Sequence, residues 1–523
     1  MKIHAFDRRN ALLAMLLLNT LILMDRQVIT VLAEAIKDDL QFSDADIGFF
    51  FYGTALSVFF AIFNLPLGRL ADLWSRKTLL ASCLAAWSAV IFLTGTARSF
   101  VSFASYRIGV GVGEGAAAPT SMSLISDYFP PRQRSSAMAV FGAGLPLGAG
   151  LGVLFGGFVL DTWNAAFHDP TLAPLGLKGW QIAYFCIAVP GPFLALAILQ
   201  LKEPPRGVSD GIVHDAHPHP FREAWWSLKS VLPIVSWSNM LRLKGGSRMV
   251  RTNLVIGILT ALVALALIEL TGSVAQWSAL GFGVWCVASW IQTLVVRDPP
   301  TFAMIIKCRA LLFSNIGLAG FVFLSAGVGA WITPLLMRTH NASASEVGMM
   351  VGILIMSFGF GGAILGGLLA DYLERHTPKA RMYLIFGSLL ITALSVLMIA
   401  FATTLTNSYI FAAFFFLGSH AWYGIGPSIA NGLVMPRMRG VSSAFYLIVI
   451  SFLGWALGPY FIGHVSDVIA ASGVDYGESL RQGILWSLLS LMPTTAALAV
   501  AYRNFDRDST DVMSRARALG EPV

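Results

Sequence analysis

Gly68-Arg-Leu-Ala-Asp72-Leu-Trp-Ser-Arg76 and Gly367-Leu-Leu-Ala-Asp371-Tyr-Leu-Glu-Arg375 are two copies of one short pattern that lie 299 residues apart. Each copy ends an apolar run of membrane-spanning length, with Gly, Asp and Arg in the same register. A second pair, Pro131-Arg132-Gln-Arg134 and Pro436-Arg437-Met-Arg439, recurs at 305 residues. Duplicated hydrophobic halves are typical of transporters, because a site between two similar halves can be opened to either side. The repeat therefore predicts transport as well as a fold.

The composition is that of an integral membrane protein. Of the 523 residues, 56% are hydrophobic and 12% charged, with a mean hydropathy of +0.71, whereas soluble domains are about 25% charged. A span needs about 20 apolar residues, and helices of that length satisfy their own backbone in lipid. We predict an all-α membrane protein of fourteen spans, built from two six-helix halves and two inserted central helices.

The predicted organisation has four parts: a six-helix half at 1–200, a cytoplasmic linker with a two-helix hairpin at 201–306, a second half at 307–510, and a cytoplasmic tail at 511–523. Spans one to six lie at 11–33, 47–70, 79–97, 101–125, 136–160 and 180–200. Spans seven to twelve lie at 310–336, 348–370, 382–402, 408–434, 442–466 and 482–502, and the inserted pair at 253–270 and 276–296.

Lys and Arg are distributed unevenly between the predicted loops. Most of the 35 basic residues fall on one side, and the loops of the other side hold only Lys37, Arg98, Lys178, Arg338 and Arg481. Since basic loops stay in the cytoplasm, we predict two cytoplasmic termini and a place in the cell membrane, the inner membrane in a bacterium. Anionic membrane lipid accounts for the net charge of +7, so no nucleic-acid partner is predicted.

The segment between the halves begins with a cytoplasmic part. Residues 206–251 predict a loop with one amphipathic helix around 221–232 on the membrane surface. His214, His217 and His219 could suggest a metal site, but a Pro-rich loop without cysteines is a poor match to known metal motifs. We predict neither a metal nor a cofactor.

Four charged residues lie inside spans of the first half: Asp25 and Arg26 in span one, and Arg107 and Glu114 in span four. A charge at the bilayer centre costs about 2.5 to 3.5 kcal/mol, so it normally faces a partner or a watery cavity and marks a pathway. The helical rise places Asp25 and Arg107 at depths at which they can meet. Glu114 lies about two turns deeper than Arg107 on the same helix face.

Glu114 is the first candidate for a proton-coupling site and Asp25 the second. A carboxylate near the bilayer middle, in low dielectric, can change its protonation state in a working pH range. The alternative is that all four charges form a structural ion-pair cluster that fixes helix packing. Glycines at alternate positions around Glu114 would admit a ligand, but small residues are also the ordinary means of helix packing. Both interpretations stay open.

The repeated loop pattern predicts a cytoplasmic gate. Gly68 would allow two helices to approach, Asp72 could attract a facing helix N-terminus, and Arg76 could pair with an acid such as Asp127. These contacts would exist only while the cytoplasmic side is closed. The predicted gate residues are Gly68, Asp72, Arg76, Asp127 and Arg134 in the first half, and Asp371 and Arg375 in the second.

Residues 68–77 resemble the loop motif of the major facilitator superfamily, although Ser75 stands where Gly is usual. Arg107 is similar to the arginine of that superfamily's fourth span, and Gly454-x-x-x-Gly458-Pro459 resembles its glycine-proline motif. The resemblance implies two six-helix halves of major facilitator type, in which spans one, four, seven and ten line a central cavity.

Three stretches resemble the spinster branch of that superfamily: 24–26, 107–115 and 126–130. The branch is linked to the movement of sphingolipids and lysophospholipids and to proton coupling. An anionic headgroup could then engage Arg26 or Arg107. The proposed contacts to an apolar tail are His420, Trp422 and Tyr423 of span ten. The resemblance covers both halves but not 201–306.

We therefore expect a proton-coupled secondary transporter of an amphipathic or organic anionic solute, monomeric, with protons, solute and membrane lipids as partners. A fourteen-span drug/proton antiporter and a transport-like receptor are the alternatives. The antiporter branch has a glycine-proline motif in span five, where this chain has Gly142-Ala-Gly-Leu-Pro146 without Gly before Pro. No ATP-binding loop pattern and no set of catalytic residues is found, so neither a pump driven by ATP nor an enzyme is predicted.

Overall fold

The computed structural model describes residues 5–51, 54–129, 131–167, 173–205, 218–243, 245–377, 379–435, 438–510 and 512–519. Within these ranges every regular element is helical, which confirms the predicted all-α class. The helices of the first half are α1 (Ala5–Leu40), α2 (Asp44–Phe50), α3 (Thr54–Leu73), α4 (Arg76–Thr94), α5 (Phe100–Glu114), α6 (Ala117–Tyr128), α7 (Pro131–Ala166), α8 (Gly179–Ala188) and α9 (Pro190–Leu199).

Five helices follow between the halves: α10 (Pro220–Val231), α11 (Trp237–Met240), α12 (Gly246–Thr271), α13 (Val274–Arg297) and α14 (Pro299–Ile306). The second half contains α15 (Arg309–His340), α16 (Ala344–Leu354), α17 (Phe360–Glu374), α18 (Ala380–Ala400), α19 (Leu405–His420), α20 (Ile425–Gly432), α21 (Arg439–Val449), α22 (Gly458–Ala470), α23 (Tyr476–Ser487), α24 (Leu491–Thr510) and α25 (Val512–Ala518). π-Helical turns at Ile355–Gly359 and Ile450–Trp455 join α16 to α17 and precede α22.

Eleven helical stretches in the described ranges are long and apolar enough to cross a membrane, and two of them are α12 and α13. The other three predicted spans are divided: span two between α2 and α3, span four between α5 and α6, and span ten between α19 and α20. The apolar runs in the sequence did not predict these three breaks.

Two prolines explain the breaks in spans four and ten. Pro119 has no N–H for the carbonyl of Gly115, and Pro427 has none for the carbonyl of Tyr423. In span four the lost donor is replaced by a side chain, because Asn64 Nδ2 donates to the Gly115 oxygen at 3.2 Å. Each break therefore has a local cause that an apolar run does not reveal.

The chain forms two compact units that do not follow chain order. Unit 1 comprises Met1–Phe42, Ile62–Leu228 and Ala342–Met356, and unit 2 comprises Ser43–Ala61, Lys229–Asn341 and Ser357–Val523. The first part of span two thus belongs to unit 2, and the first part of span eight to unit 1. The four-part organisation read from the sequence stays a prediction.

In unit 1 a glycine row on α7 brings that helix against α1. A Cβ at Gly144 would lie 2.8 Å from the carbonyl oxygen of Leu16, and one at Gly148 or Gly152 would collide with the α1 backbone. Small residues at four-residue spacing allow such close approach between membrane helices. The row runs past the charged residues of α1, because Gly152 lies against the Met24 backbone and a Cβ at Gly156 would lie 2.6 Å from the Val28 side chain.

The linker contains the predicted amphipathic helix, which the structure places at α10. Its Phe221 ring lies 4.8 Å from the ring of Trp74, at the end of span two. His214 and His217 lie outside the described residues.

Candidate functional site

The predicted meeting of Asp25 and Arg107 is confirmed within unit 1. Arg107 Nη1 donates to both carboxylate oxygens of Asp25, at 3.0 and 2.8 Å. Neither side chain is accessible to solvent. Two opposite charges thus neutralise each other between α1 and α5.

A second ion pair lies on the same two helices. Arg26 donates from Nε and Nη2 to Glu114 Oε2, at 2.8 and 2.6 Å. Glu114 is completely buried and Arg26 almost so. Consecutive residues of α1 therefore pair with residues of α5 that lie seven positions apart, and the two pairs form one cluster with no net charge.

Part of the hydrogen-bonding capacity of this cluster is unused. Arg107 Nε and Nη2, Glu114 Oε1 and the hydroxyl of Tyr184 are buried without a hydrogen-bond partner among the described residues. Leaving a buried polar group unsatisfied costs about 1 to 3 kcal/mol, and more for a charged group. Atoms of this kind can bind an ordered water or a ligand group, and Glu114 Oε1 can hold a proton.

Glu114 is also the last residue of α5. Gly115 follows it, and a Cβ there would lie 3.1 Å from the backbone nitrogen of Asn64. Carbonyl groups at a helix C-terminus carry partial negative charge, which a cation nearby offsets. Arg26 supplies that cation. Asn64 was not predicted from the sequence. Pro119 was the signal for it, because proline has no N–H and the Gly115 carbonyl therefore needs another donor.

The aromatic residues predicted to contact an apolar tail lie together in unit 2. The His420 and Tyr423 rings are 4.9 Å apart, and so are the Trp422 and Tyr423 rings. His420 Nδ1 lies 3.0 Å from both the Ser419 hydroxyl and the Phe416 carbonyl oxygen. Trp422 Nε1 is buried and has no partner among the described residues. This cluster is apolar with a few polar atoms, unlike the charged cluster of unit 1.

The predicted pairing of Arg76 with Asp127 is confirmed, and it extends to a third residue. The backbone N–H and Nε of Arg76 donate to Glu203 Oε1 at 2.8 and 3.1 Å, and Nη2 donates to the Pro204 carbonyl at 2.7 Å. Glu203 was not among the predicted gate residues. Its position directly after span six, on the side of the basic loops, was the signal for this contact.

Two effects oppose each other at Glu203. Partial burial acts to raise the pKa of this carboxyl, but the hydrogen bonds from Arg76 and Ser75 and the Arg76 charge outweigh it and hold the pKa below its ordinary value. The carboxylate therefore stays ionised and holds Arg76 at neutral pH.

The remaining gate candidates show less. A Cβ at Gly68 would lie 3.7 Å from the Pro119 side chain, an ordinary contact, so this position has room for a methyl group. Arg375 is exposed. The side chains of Asp72, Arg134 and Asp371 lie outside the described residues.

Comparisons with known proteins agree with this architecture. The model of the Major Facilitator Superfamily matches residues 15–459. An MFS-type efflux pump of Mycolicibacterium smegmatis is 24% identical over 94% of this chain and 92% of the pump. The sphingosine-1-phosphate transporter SPNS2 of Danio rerio is 23% identical over 90% of this chain and 77% of its own length.

The fold has a close counterpart among solved structures. A bacterial homolog of the human lysosomal transporter Spinster, in an inward-facing and unoccupied conformation, superimposes with a TM-score of 0.71 at 23% identity, over 97% of this chain and 99% of that one. The chain spans only 60% to 65% of the length of several further spinster proteins that it matches.

Proposed function

The chain belongs to the Major Facilitator Superfamily, a family of membrane transporters, in its spinster-like branch, and we propose that it is a proton-coupled secondary transporter of an amphipathic anionic solute. It works by alternating access. The solute is of lysophospholipid or sphingolipid type, which the similarity to a sphingosine-1-phosphate transporter supports. Glu114 binds the coupling proton, with Asp25 as the second candidate, and Arg26 and Arg107 bind the anionic headgroup.

The observation that carries this proposal is the pairing of Arg26 with Glu114 beside the neutral Asp25–Arg107 pair. A proton on Glu114 removes the negative partner of Arg26 and leaves a buried guanidinium that needs an anion. Removing one partner of a buried ion pair costs about 3 to 5 kcal/mol. A proton and an anionic headgroup that bind together restore neutrality, whereas either one alone leaves a net charge in low dielectric. Charge balance thus couples the two ligands.

The other parts of the solute and of the cycle are assigned to separate clusters. His420, Trp422 and Tyr423 contact the apolar tail, since their rings are adjacent and only Trp422 among the three is fully buried. Arg76 with Asp127, and the related residues Gly68, Asp72, Arg134, Asp371 and Arg375, form the cytoplasmic gate. No cofactor takes part.

The proposed topology has fourteen spans in the cell membrane, with both termini in the cytoplasm and α12 and α13 as the inserted pair. It counts the eleven long apolar helical stretches and the three divided segments. The protein is a monomer surrounded by membrane lipid.

Transport into proteoliposomes tests the function. Purified protein is offered radiolabelled lysophospholipid, a sugar acid and a cationic dye, each with and without an imposed pH gradient. We expect the gradient to drive flux of the lysophospholipid, and Glu114→Gln to reduce that drive about tenfold or more, because a lost interaction of about 1.4 kcal/mol is a factor of ten. Solute exchange without a gradient should persist in this variant.

Glu269→Gln is the matched control, since Glu269 is an exposed carboxylate on α12. It should respond to the gradient as the unchanged protein does. A Glu114→Gln variant with full gradient response would contradict the proton role. Absence of flux for all three solutes would favour a receptor.

A drug/proton antiporter is the second candidate. It is supported by the match to the mycobacterial efflux pump, which extends over 92% of that protein. In the same assay, extrusion of the cationic dye against its gradient, with no lysophospholipid flux, would favour this function.

A further inference from the structure

The inserted helix α13 carries a buried polar residue near its N-terminal end. Gln276 is 1% exposed. Its Oε1 accepts a hydrogen bond from the Thr54 hydroxyl at 2.6 Å, and its Nε2 donates to the Ala456 carbonyl at 3.3 Å. The inserted hairpin thus bridges the start of α3, from the first half of the sequence, and the π-helical turn before α22, from the second half. All three residues lie in unit 2.

Apolar contacts extend this bridge along α13. A Cβ at Gly283 would lie 2.6 Å from the Val58 side chain and 2.8 Å from the Phe452 ring, so α13 packs directly on both segments at this point. The Phe282 ring stacks on Phe59, with centroids 6.4 Å apart. Contact over two helical turns makes the hairpin a specific neighbour of these segments.

The hairpin has an internal polar cluster that holds α12 and α13 together. Asn253 of α12 is completely buried and donates to Ser289 and Gln292 of α13 at 2.9 and 2.8 Å. Its Oδ1 accepts from Trp285 Nε1 at 3.0 Å and from Trp237 Nε1 at 2.8 Å. Fully satisfied polar networks in a low-dielectric interior are rigid. The hairpin therefore acts on its neighbours as one body.

The segment held by α13 is also held at its outer end. Arg338 donates to the two oxygens of Asp44 at 2.8 and 2.7 Å, and Asp467 accepts from the backbone nitrogens of Asp44 and Ala45 at 2.9 and 2.6 Å. Residues 43–61 are therefore fastened to helices of the second half, on the side that the basic-loop pattern assigns to the exterior.

We propose that the inserted hairpin is a clasp that stabilises the outward-closed state, with Gln276 as its positioning residue. The proposal rests on the alternating-access cycle proposed above, in which residues 43–61 must leave the second half whenever the outer side opens. On opening, Gln276 loses either Thr54 or Ala456, and an amide without a partner inside the membrane is unfavourable. The hairpin therefore biases the equilibrium toward outer closure.

Hydrogen–deuterium exchange of the full-length protein in lipid nanodiscs tests the clasp. The method needs no introduced cysteine, which is useful because the buried Cys286 lies on α13 itself. In Gln276→Leu we expect amides in peptides covering 43–61 to exchange about three to ten times faster, the factor expected for the loss of one buried hydrogen bond. Gln292→Leu is the matched control, because Gln292 bonds only within the hairpin in the described contacts.

A second variant, Thr54→Val, tests whether faster exchange in Gln276→Leu comes only from a folding defect. Thr54→Val removes the same bond from the other side, together with the contact of the Thr54 hydroxyl to the Ala456 carbonyl oxygen at 3.3 Å. It should therefore accelerate exchange at least as much as Gln276→Leu, and the Thr54→Val/Gln276→Leu double variant should accelerate it by less than the two single changes combined. Equal exchange in Gln276→Leu and Gln292→Leu, or full additivity of the two changes, would overturn the clasp. Because no solute is needed, a protein that fails every flux assay yet shows the Gln276-specific acceleration retains the clasp and loses the transport proposal.

Discussion

The break in span four and the break in span ten lie at equivalent points of the internal repeat but are surrounded by different chemistry. Glu114 and His420, the last residues of α5 and α19, are 306 residues apart, close to the 299 and 305 of the loop motifs. A proline follows each of them, Pro119 and Pro427. At the first break two ion pairs meet, and at the second three aromatic rings do.

The difference indicates which properties the duplication has kept. Close backbone approach occurs at both breaks, through glycines of different helices. Gly115 lies in the first break and faces Asn64, whereas Gly366 belongs to α17 and faces the backbone of Ala421 in the second. Side-chain chemistry has diverged, with charge in one half and aromatic surface in the other. The proposed function assigns the headgroup of an amphipathic solute to the charged half and its tail to the aromatic half.

The largest change in the free energy of unfolding is expected at the charged break, between α5 and α6. Asp25→Asn should lower the free energy of unfolding by about 3 to 5 kcal/mol, because Arg107 would remain buried without its counter-charge. Unfolding in mixed SDS micelles measures this change. His420→Phe, at the aromatic break, should cost less, since no charge loses its partner there.

A double variant separates stability from function in that cluster. Asp25→Asn/Arg107→Met removes both charges and should recover most of the lost stability while transport stays absent. Recovery of transport together with stability would show that the pair is purely structural and would remove the chemical contrast between the two breaks.

Sequence reasoning reached the contacts that depend on one helix at a time. The Asp25–Arg107 pair followed from helical rise, and the Arg76–Asp127 pair from charges at span ends. The divided spans were missed because counting apolar residues ignores the carbonyls that Pro119 and Pro427 leave without an N–H. The fastening of 43–61 to the second half was also missed, since it depends on tertiary contacts such as Arg338 with Asp44.

A smaller effect is expected from backbone packing at the breaks. Gly366→Ala should cost about 1 to 3 kcal/mol, because its methyl group would collide with the Ala421 backbone. Gly115→Ala should cost less, since the nearest atom would lie 3.1 Å away. Gly424→Ala is the control, with no described atom within 4 Å of the new methyl group.

Melting temperature in detergent, followed by tryptophan fluorescence, ranks these three variants. The expected order of destabilisation is Gly366→Ala, then Gly115→Ala, then Gly424→Ala. If Gly366→Ala and Gly424→Ala have the same melting temperature, close backbone approach is not shared by the two breaks.

The smallest effect extends the comparison to the cytoplasmic loops. Because the pKa of Glu203 is held below its ordinary value, its contacts stabilise the fold at pH above the unfolded-state pKa of about 4.3 and cease to do so as pH falls through the folded-state pKa. Glu203→Gln should therefore cost about 1 kcal/mol at pH 7, for charge-assisted hydrogen bonds at a partly exposed site, and almost nothing at the acid end.

Glu374→Gln is the matched change in the second half, where Glu374 is 39% exposed and pairs with Arg381. It should cost less than about 0.5 kcal/mol at either pH, because exposed ion pairs contribute little. Melting curves of both variants and the unchanged protein, from pH 7.5 down to a pH below the folded-state pKa of Glu203, measure the difference. Equal pH dependence of stability in the two variants would mean that both cytoplasmic loops are held alike. A loss of stability at neutral pH in Glu203→Gln alone would show that the two halves differ at their cytoplasmic ends as well as in the membrane interior.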